Sequence, residues 1–188
     1  MTNLVFFLEE PSIREMLKAV LIKILPEDIT VIYVVFEGKQ DLEKQLPLKL
    51  KAWECPNSLF VVIRDQDSGN CLNIKNNLIR IVNSSGKSGV LVRVACHELE
   101  SFYLGDLAAV SQSIGPRNIV SKQNSRKFRN PDRLANPKQE LKKIAPNYEP
   151  MTGSRAIGPH LDINNNRSTS FNKLFDGVRK LLRPPKKV

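Results

Sequence analysis

Cysteine and histidine are scarce in this chain of 188 residues, with three of the first and two of the second. Cys55, Cys71 and Cys96 are odd in number, widely spaced and free of any CxxC pair, which excludes a disulfide framework or a zinc ribbon. Cys96 closes an apolar run and reads as a small buried hydrophobe. The longest apolar stretches, such as Val31 to Phe36, fall far short of the ~20 residues that span a bilayer. No basic segment followed by an apolar run stands at the N-terminus, so the expectation is a protein of the reducing cytoplasm, with no membrane partner. A glycine is missing where a Walker A loop would need one: Ile81 stands five positions before Gly86 in Gly86-Lys87-Ser88, which therefore reads as a turn. His97-Glu98 opens like a zincin motif, but Ser101 occupies the place of the second histidine. His160, the other histidine, reads as structural or helix-capping. There is no internal repeat.

What is present is a charge of uneven distribution. The formal net charge is +10. Residues 1–116 carry 12 Lys and Arg against 14 Asp and Glu, a balance of −2, whereas residues 117–188 carry 17 against 5, a balance of +12. A hydrophobic content of 41% and a charged content of 26% suit a packed fold of one domain, or one domain with a large appendage.

The first 116 residues alternate short β-branched or aromatic runs with amphipathic stretches, the pattern of successive βα units. Strands are expected at Leu4 to Leu8, Thr30 to Phe36, Leu59 to Ile63 and Val90 to Ala95. Helices are expected after Ser12, a candidate N-cap, up to Pro26; over Gln40 to Trp53, with a kink or a new start at Pro47; and over Asn70 to Val82. The fold class that follows is α/β, a doubly wound, mainly parallel four-stranded sheet. Beyond Gly115-Pro116, prolines break the chain into loops in which only Pro137 to Ile144 and Ser168 to Leu182 read as helices. Residues 117–188 thus form a basic, mostly helical and loop extension packing on the 1–116 domain, with a frayed tail from Arg183.

Parallel strands release their loops on one edge, and acids gather there. The first strand runs into Glu9-Glu10, the third into Asp65-Gln66-Asp67 and the fourth into His97-Glu98-Leu99-Glu100. Alternate residues of a strand point the same way, so Asp65 and Asp67 could face one ion. Like charges gathered without a counter-ion repel, and a hard cation such as Mg²⁺ or Mn²⁺, which takes carboxylates and waters, would relieve them. Taken singly, each acid suits a solvated strand end or a helix start. In the extension, Lys122, Arg126, Lys127, Arg129 and Arg133, with Phe128 among them, and then Arg155 and Arg167, suit phosphate neutralisation, with the one aromatic free to stack on a base. A basic surface gripping an acidic protein would use the same residues.

Five blocks, LEEPSIREML, VFEGKQDLEKQL, FVVIRDQDSGNC, VRVACHELESFYLGDLAAV and SRAIGPHLDINNNRSTSFNKL, together resemble the bacterial family called domain of unknown function 4276, a Toprim-like group. The resemblance implies a Toprim-like fold in which Asp65 and Asp67 are metal ligands and Glu9 is a general acid or base or a metal-linked carboxylate. The glycine usual after the first acid is Glu10 here, which leaves Glu9 and Glu10 as alternatives. It also implies a further acid in the His97 to Glu100 block, with Glu100 favoured over Glu98 by its place two residues before Phe102, and places Arg155, His160 and Arg167 near the site. A partner ATPase of the AAA or ABC type is implied as well. The expected function is a Mg²⁺-dependent nuclease component of an anti-phage defence system. The alternative is a non-catalytic subunit that binds nucleic acid or the ATPase.

Overall fold

The structure, a computed structural model, describes residues 2–183; the expectation for the tail beyond Arg183 lies outside them. Four strands, β1 (Thr2–Leu8), β2 (Ile29–Val35), β3 (Ser58–Asp65) and β4 (Leu91–Ala95), form one sheet in the order β2-β1-β3-β4. Every pairing is parallel, with Leu8 opposite Val35 and Ile63, and Asp65 opposite Ala95. The α/β class and the four-stranded parallel sheet are as the sequence leads one to expect, and the arrangement is consistent with a Toprim-like doubly wound fold.

β1 lies inside the sheet and is apolar and fully buried from Leu4 to Leu8, as a strand covered on both faces requires. Its alternation divides the core. Leu4, Phe6 and Leu8 point to one face with Val61 and Ile63, whereas Val5 and Phe7 point to the other with Phe60 and Val62. The second face is covered by α2 (Lys39–Lys51) and α3 (Cys71–Ser84), through Leu42, Leu46, Leu50, Leu78 and Val82. On the first face sits α1 (Pro11–Leu21), through Ile13, Met16, Leu17 and Val20. The same layer continues into α4 (Glu100–Leu104), α5 (Leu107–Ser113), α6 (Pro137–Ile144), α7 (Pro150–Ile157) and α8 (Thr169–Leu181). Phe171, Leu174, Phe175 and Val178 of α8 are buried in one cluster with β1 and α1. Segment 117–183 therefore completes one layer of the sheet's cover.

Several local expectations are corrected, and proline accounts for most of them. Ser12 is not the cap of α1: Pro11 occupies the first helical position, Glu10 stands at the cap, and the Ser12 hydroxyl donates to the Glu10 carboxylate. α1 also stops at Leu21, before Pro26. Pro47 lies inside α2 without ending it. In the extension, Pro137 and Pro150 begin α6 and α7, because the first helical turn has no use for the N–H that proline lacks. α7 was thus missed by treating proline only as a breaker. Cys96 is half-buried and lines a surface groove. Among the described residues no helix is long and apolar enough to cross a membrane.

Candidate acidic site at the carboxyl edge

The loops after β1, β3 and β4 meet at one edge of the sheet. Glu9 follows β1 directly, its N–H bonded to the Ile63 carbonyl at 3.2 Å. Its carboxylate bends back across the edge, where Oε2 accepts the Asp65 N–H at 2.9 Å. Arg64 closes the other side: its Nε lies 3.9 Å from Glu9 Oε2, and its Nη1 pairs with Glu43 of α2. Burial is the main cause that raises the Glu9 pKa above the ordinary carboxylate range; the Asp65 N–H opposes the rise, the Asp67 charge adds to it, and Arg64 opposes it.

Asp65 is the last residue of β3 and is 8% exposed. One oxygen, Oδ2, accepts the Leu99 N–H at 3.1 Å, just ahead of α4. The other, Oδ1, is buried without a hydrogen-bond partner. Burial pushes the Asp65 pKa well up, and the charges of Glu10, Glu100 and Glu9 push it further; the Leu99 N–H pulls it back. A buried carboxylate oxygen with no donor, among three other acids, is a costly arrangement for a protein to keep.

Asp67 stands apart from this pair. β3 ends at Asp65, so the strand alternation that would turn Asp65 and Asp67 to one side does not reach Asp67. Asp67 instead adopts a left-handed backbone, φ +53°, and donates its N–H at 2.6 Å to the carbonyl of His97, itself at φ +58°. Two non-glycine residues in this region, tied to each other, lock the turns after β3 and β4. The Asp67 carboxylate pairs with Lys39 Nζ at 2.8 Å. Glu9 and Asp65 come together, while Asp67 is held at the rim by Lys39.

The acids of the fourth loop divide their roles. Glu98 Oε2 accepts the Lys138 N–H at 2.8 Å and so serves the start of α6. Glu100 is 4% exposed and accepts the Tyr148 hydroxyl at 2.9 Å. Burial, only partly offset by that hydroxyl, pushes the Glu100 pKa up to about 7. Its charge also reaches Asp65. Behind it, the Tyr103 hydroxyl donates to Ser154 Oγ at 2.6 Å, and its ring meets Tyr148 edge-on.

Among the described residues no group of three or more His, Cys, Asp or Glu side chains is arranged to hold a metal ion. The fit to a hard cation rests on Asp65 Oδ1, a carboxylate oxygen that no protein donor satisfies, with Glu9 beside it.

The basic residues fall into separate places. Arg126, Lys127, Arg129 and Arg133 line one surface cleft of about 640 Å³. Lys122 is exposed on the 3₁₀ segment Arg117–Asn124. Arg167 donates to Asn124 Oδ1 at 3.1 Å and lines a smaller cleft of about 220 Å³. Arg155 is bonded to Glu15 Oε2 at 3.0 Å, joining α7 to α1. His160 is exposed in the 3₁₀ turn Gly158–His160. Phe128 is 4% exposed and packed in the core, which corrects the expectation that its ring is free to stack on a base.

Sequence reading overlooked Arg64, Lys39, Tyr148 and the Leu99 N–H. Arg64 carried a signal: a charged residue inside an apolar central strand next to Asp65 needs an acid nearby. The others come from distant segments and left none.

Fold and edge together define an α/β protein with a parallel, doubly wound sheet and a partly buried acidic cluster beyond its strand ends. The chain belongs to the family described as domain of unknown function (DUF4276), which it matches over residues 8–179. Among proteins of curated function and among solved structures, nothing matches it.

Proposed function

We propose that this protein is a divalent-metal-dependent, Toprim-like phosphodiester hydrolase, the nuclease component of an anti-phage defence system that works with an AAA or ABC-type ATPase. The observation that carries the reading is the unpartnered, buried Oδ1 of Asp65 beside Glu9. Asp65 and Glu9 would hold Mg²⁺ or Mn²⁺, with Asp67 the further carboxylate at the rim. Such an ion, when bound, lowers the pKa of a coordinated water and offsets negative charge on a phosphoryl group. The chain's own residues supply the rest. Glu9, its pKa raised by burial, is suited to carry a proton, and the Asp65 N–H fixes its orientation. Glu10, beside Glu9 in the chain, has its carboxylate held by Ser12 and acts by its charge on Asp65. Glu100 maintains the charge around Asp65 from within the fold. The exposed cations of the extension orient the substrate backbone. A cytoplasmic location suits the three free thiols.

Cleavage of DNA and RNA with Mg²⁺ or Mn²⁺, with the ATPase present, tests this on wild type and Asp65→Ala/Asp67→Ala. Wild type should cleave. The double variant should fall by more than the roughly 10–100-fold that loss of a mere supporting partner costs. Equal activity in both removes the assigned site.

A second reading is supported by the protein's own counter-charges. Lys39 on Asp67, and Arg64 between Glu9 and Glu43, satisfy acids without a metal, as a non-catalytic subunit would require. Thermal unfolding with added metal separates the two, because a ligand that binds only the folded state raises its apparent stability. A rise in Tm with Mg²⁺ or Mn²⁺ that Asp65→Asn abolishes favours the hydrolase; no rise at millimolar metal favours the scaffold.

A further inference from the structure

β4 is the outermost strand of the sheet, and among the described residues its far edge pairs with no other strand. α3 and α8 flank it on the two faces and leave a groove of about 560 Å³ between them. Val92 and Val94 form its floor, and Lys75 and Lys173 stand on its walls. Asn130 and Arg133 line both this groove and the cleft of Arg126, Lys127 and Arg129, so the two adjoin as the halves of one basic trough. Cys96, next to Ala95, which is the register partner of Asp65, lines the groove as well.

Its charge is almost all of one sign. Asp132 is the one acid among the described residues that line it, and both its oxygens are engaged, Oδ1 by the Ser168 hydroxyl at 2.6 Å and Oδ2 by the Ser170 N–H at 2.8 Å. Lys127 pairs with Glu140, and the Arg93 guanidinium donates to the carbonyls of Lys173 and Val92. Lys75, Arg126, Arg129, Arg133 and Lys173 have no ion pair among the described residues.

We infer that this trough binds one strand of nucleic acid through its phosphates and leads it along the open edge of β4 to the acidic site, an inference that rests on the nuclease reading only for what happens where the strand arrives. The rim cations meet phosphates, while the apolar floor, extended by Leu72 at 69% exposure, meets sugars and bases. A duplex turns both backbones outward and hides its bases, so it has nothing to offer that floor. An added peptide strand needs the main-chain groups of the edge, and two are already taken: the Val92 carbonyl accepts from Arg93 at 2.9 Å, and the Cys96 N–H donates to Ser170 Oγ at 3.3 Å. With no aromatic ring among the described residues of the lining, binding is chiefly electrostatic and therefore falls steeply with salt.

The test is fluorescence anisotropy of a labelled single-stranded oligonucleotide, without divalent metal, across a salt series. If all five unpaired cations contact phosphates, log K against log salt has a slope of about −3.5 for a single strand. The variant Arg133→Gln/Lys173→Gln, at exposed positions, should flatten it by ~1.4, while Lys49→Gln/Lys51→Gln on α2 should leave it unchanged. Matching thermal melts confirm that the variants fold. Binding by Arg133→Gln/Lys173→Gln equal to wild type overturns the inference, as does tighter binding of a duplex of the same length. Loss of poly-glutamate binding in that variant with oligonucleotide binding intact also overturns it, in favour of an acidic protein. Wild type that binds the strand as described but cleaves nothing with metal and ATPase upholds the trough and rejects the nuclease reading.

Discussion

The carboxyl edge of the sheet and the basic trough carry opposite charge, and they hold it in opposite ways. Glu9 and Asp65 are about nine-tenths buried, placed by backbone N–H groups and raised in pKa by burial and by the charges of neighbouring acids. Arg126, Arg129, Arg133 and Lys173 are exposed and unpaired among the described residues. A buried charge depends on a few fixed contacts, so single substitutions there should act strongly and specifically. Exposed charges act through water over several ångströms, so they should act weakly, additively and in proportion to salt.

The largest effect expected is on the one residue that crosses this division. Phe128→Ala should destabilise the fold by roughly 3–5 kcal/mol, because the ring is a core side chain within the basic segment. Chemical denaturation measures the loss, and oligonucleotide affinity of the remaining folded fraction should not change. A weakened affinity at constant stability would return Phe128 to the binding surface.

Next is Glu100, whose folded pKa stands near 7 against an ordinary 4.5. An acid raised in this way contributes its full stability below the unfolded value and loses it as pH climbs to the folded one. Wild type should therefore lose stability between pH 4.5 and about 7, whereas Glu100→Gln, which can still accept from Tyr148, should not. At pH 8 the variant should be more stable by roughly 3 kcal/mol, a Tm gain of several degrees. At pH 4 the two should melt together. A variant that melts lower than wild type at pH 8 would show that Glu100 is held by interactions outweighing its burial.

The smallest effect expected is at the rim. Lys39→Ala removes an exposed ion pair worth about 0–1 kcal/mol, so metal affinity measured by calorimetry should tighten by no more than ~5-fold. Weaker binding in this variant would mean that Lys39 supports the site.

Much of the fold was legible because it rests on local pattern. The four strands emerged within a residue or two, and α3, α6 and α8 within about two, since each carries its apolar spacing in a short window. α4 and α5 did not emerge, nor did α7. Each is short, and α7 starts at a proline that reads equally as a break. Within the site, Asp65 was found from its place at a strand end. The separation of Asp67 was hidden, because strand alternation extrapolated past Asp65 says nothing of a left-handed turn.

The parallel α/β sheet, the gathering of acids at one edge and the segregation of positive charge into the C-terminal segment are written in the order of the residues. These follow from residue order and periodicity, which need no knowledge of what lies opposite. Which charges are in contact depends on how the chain packs. Lys39 on Asp67, Arg64 beside Glu9, Tyr148 on Glu100, and Lys75 of α3 in one trough with Lys173 of α8 are meetings between segments far apart in the chain. They were set by how the helices pack on the two faces of the sheet, and through burial that packing also decided which carboxylates have raised pKa values.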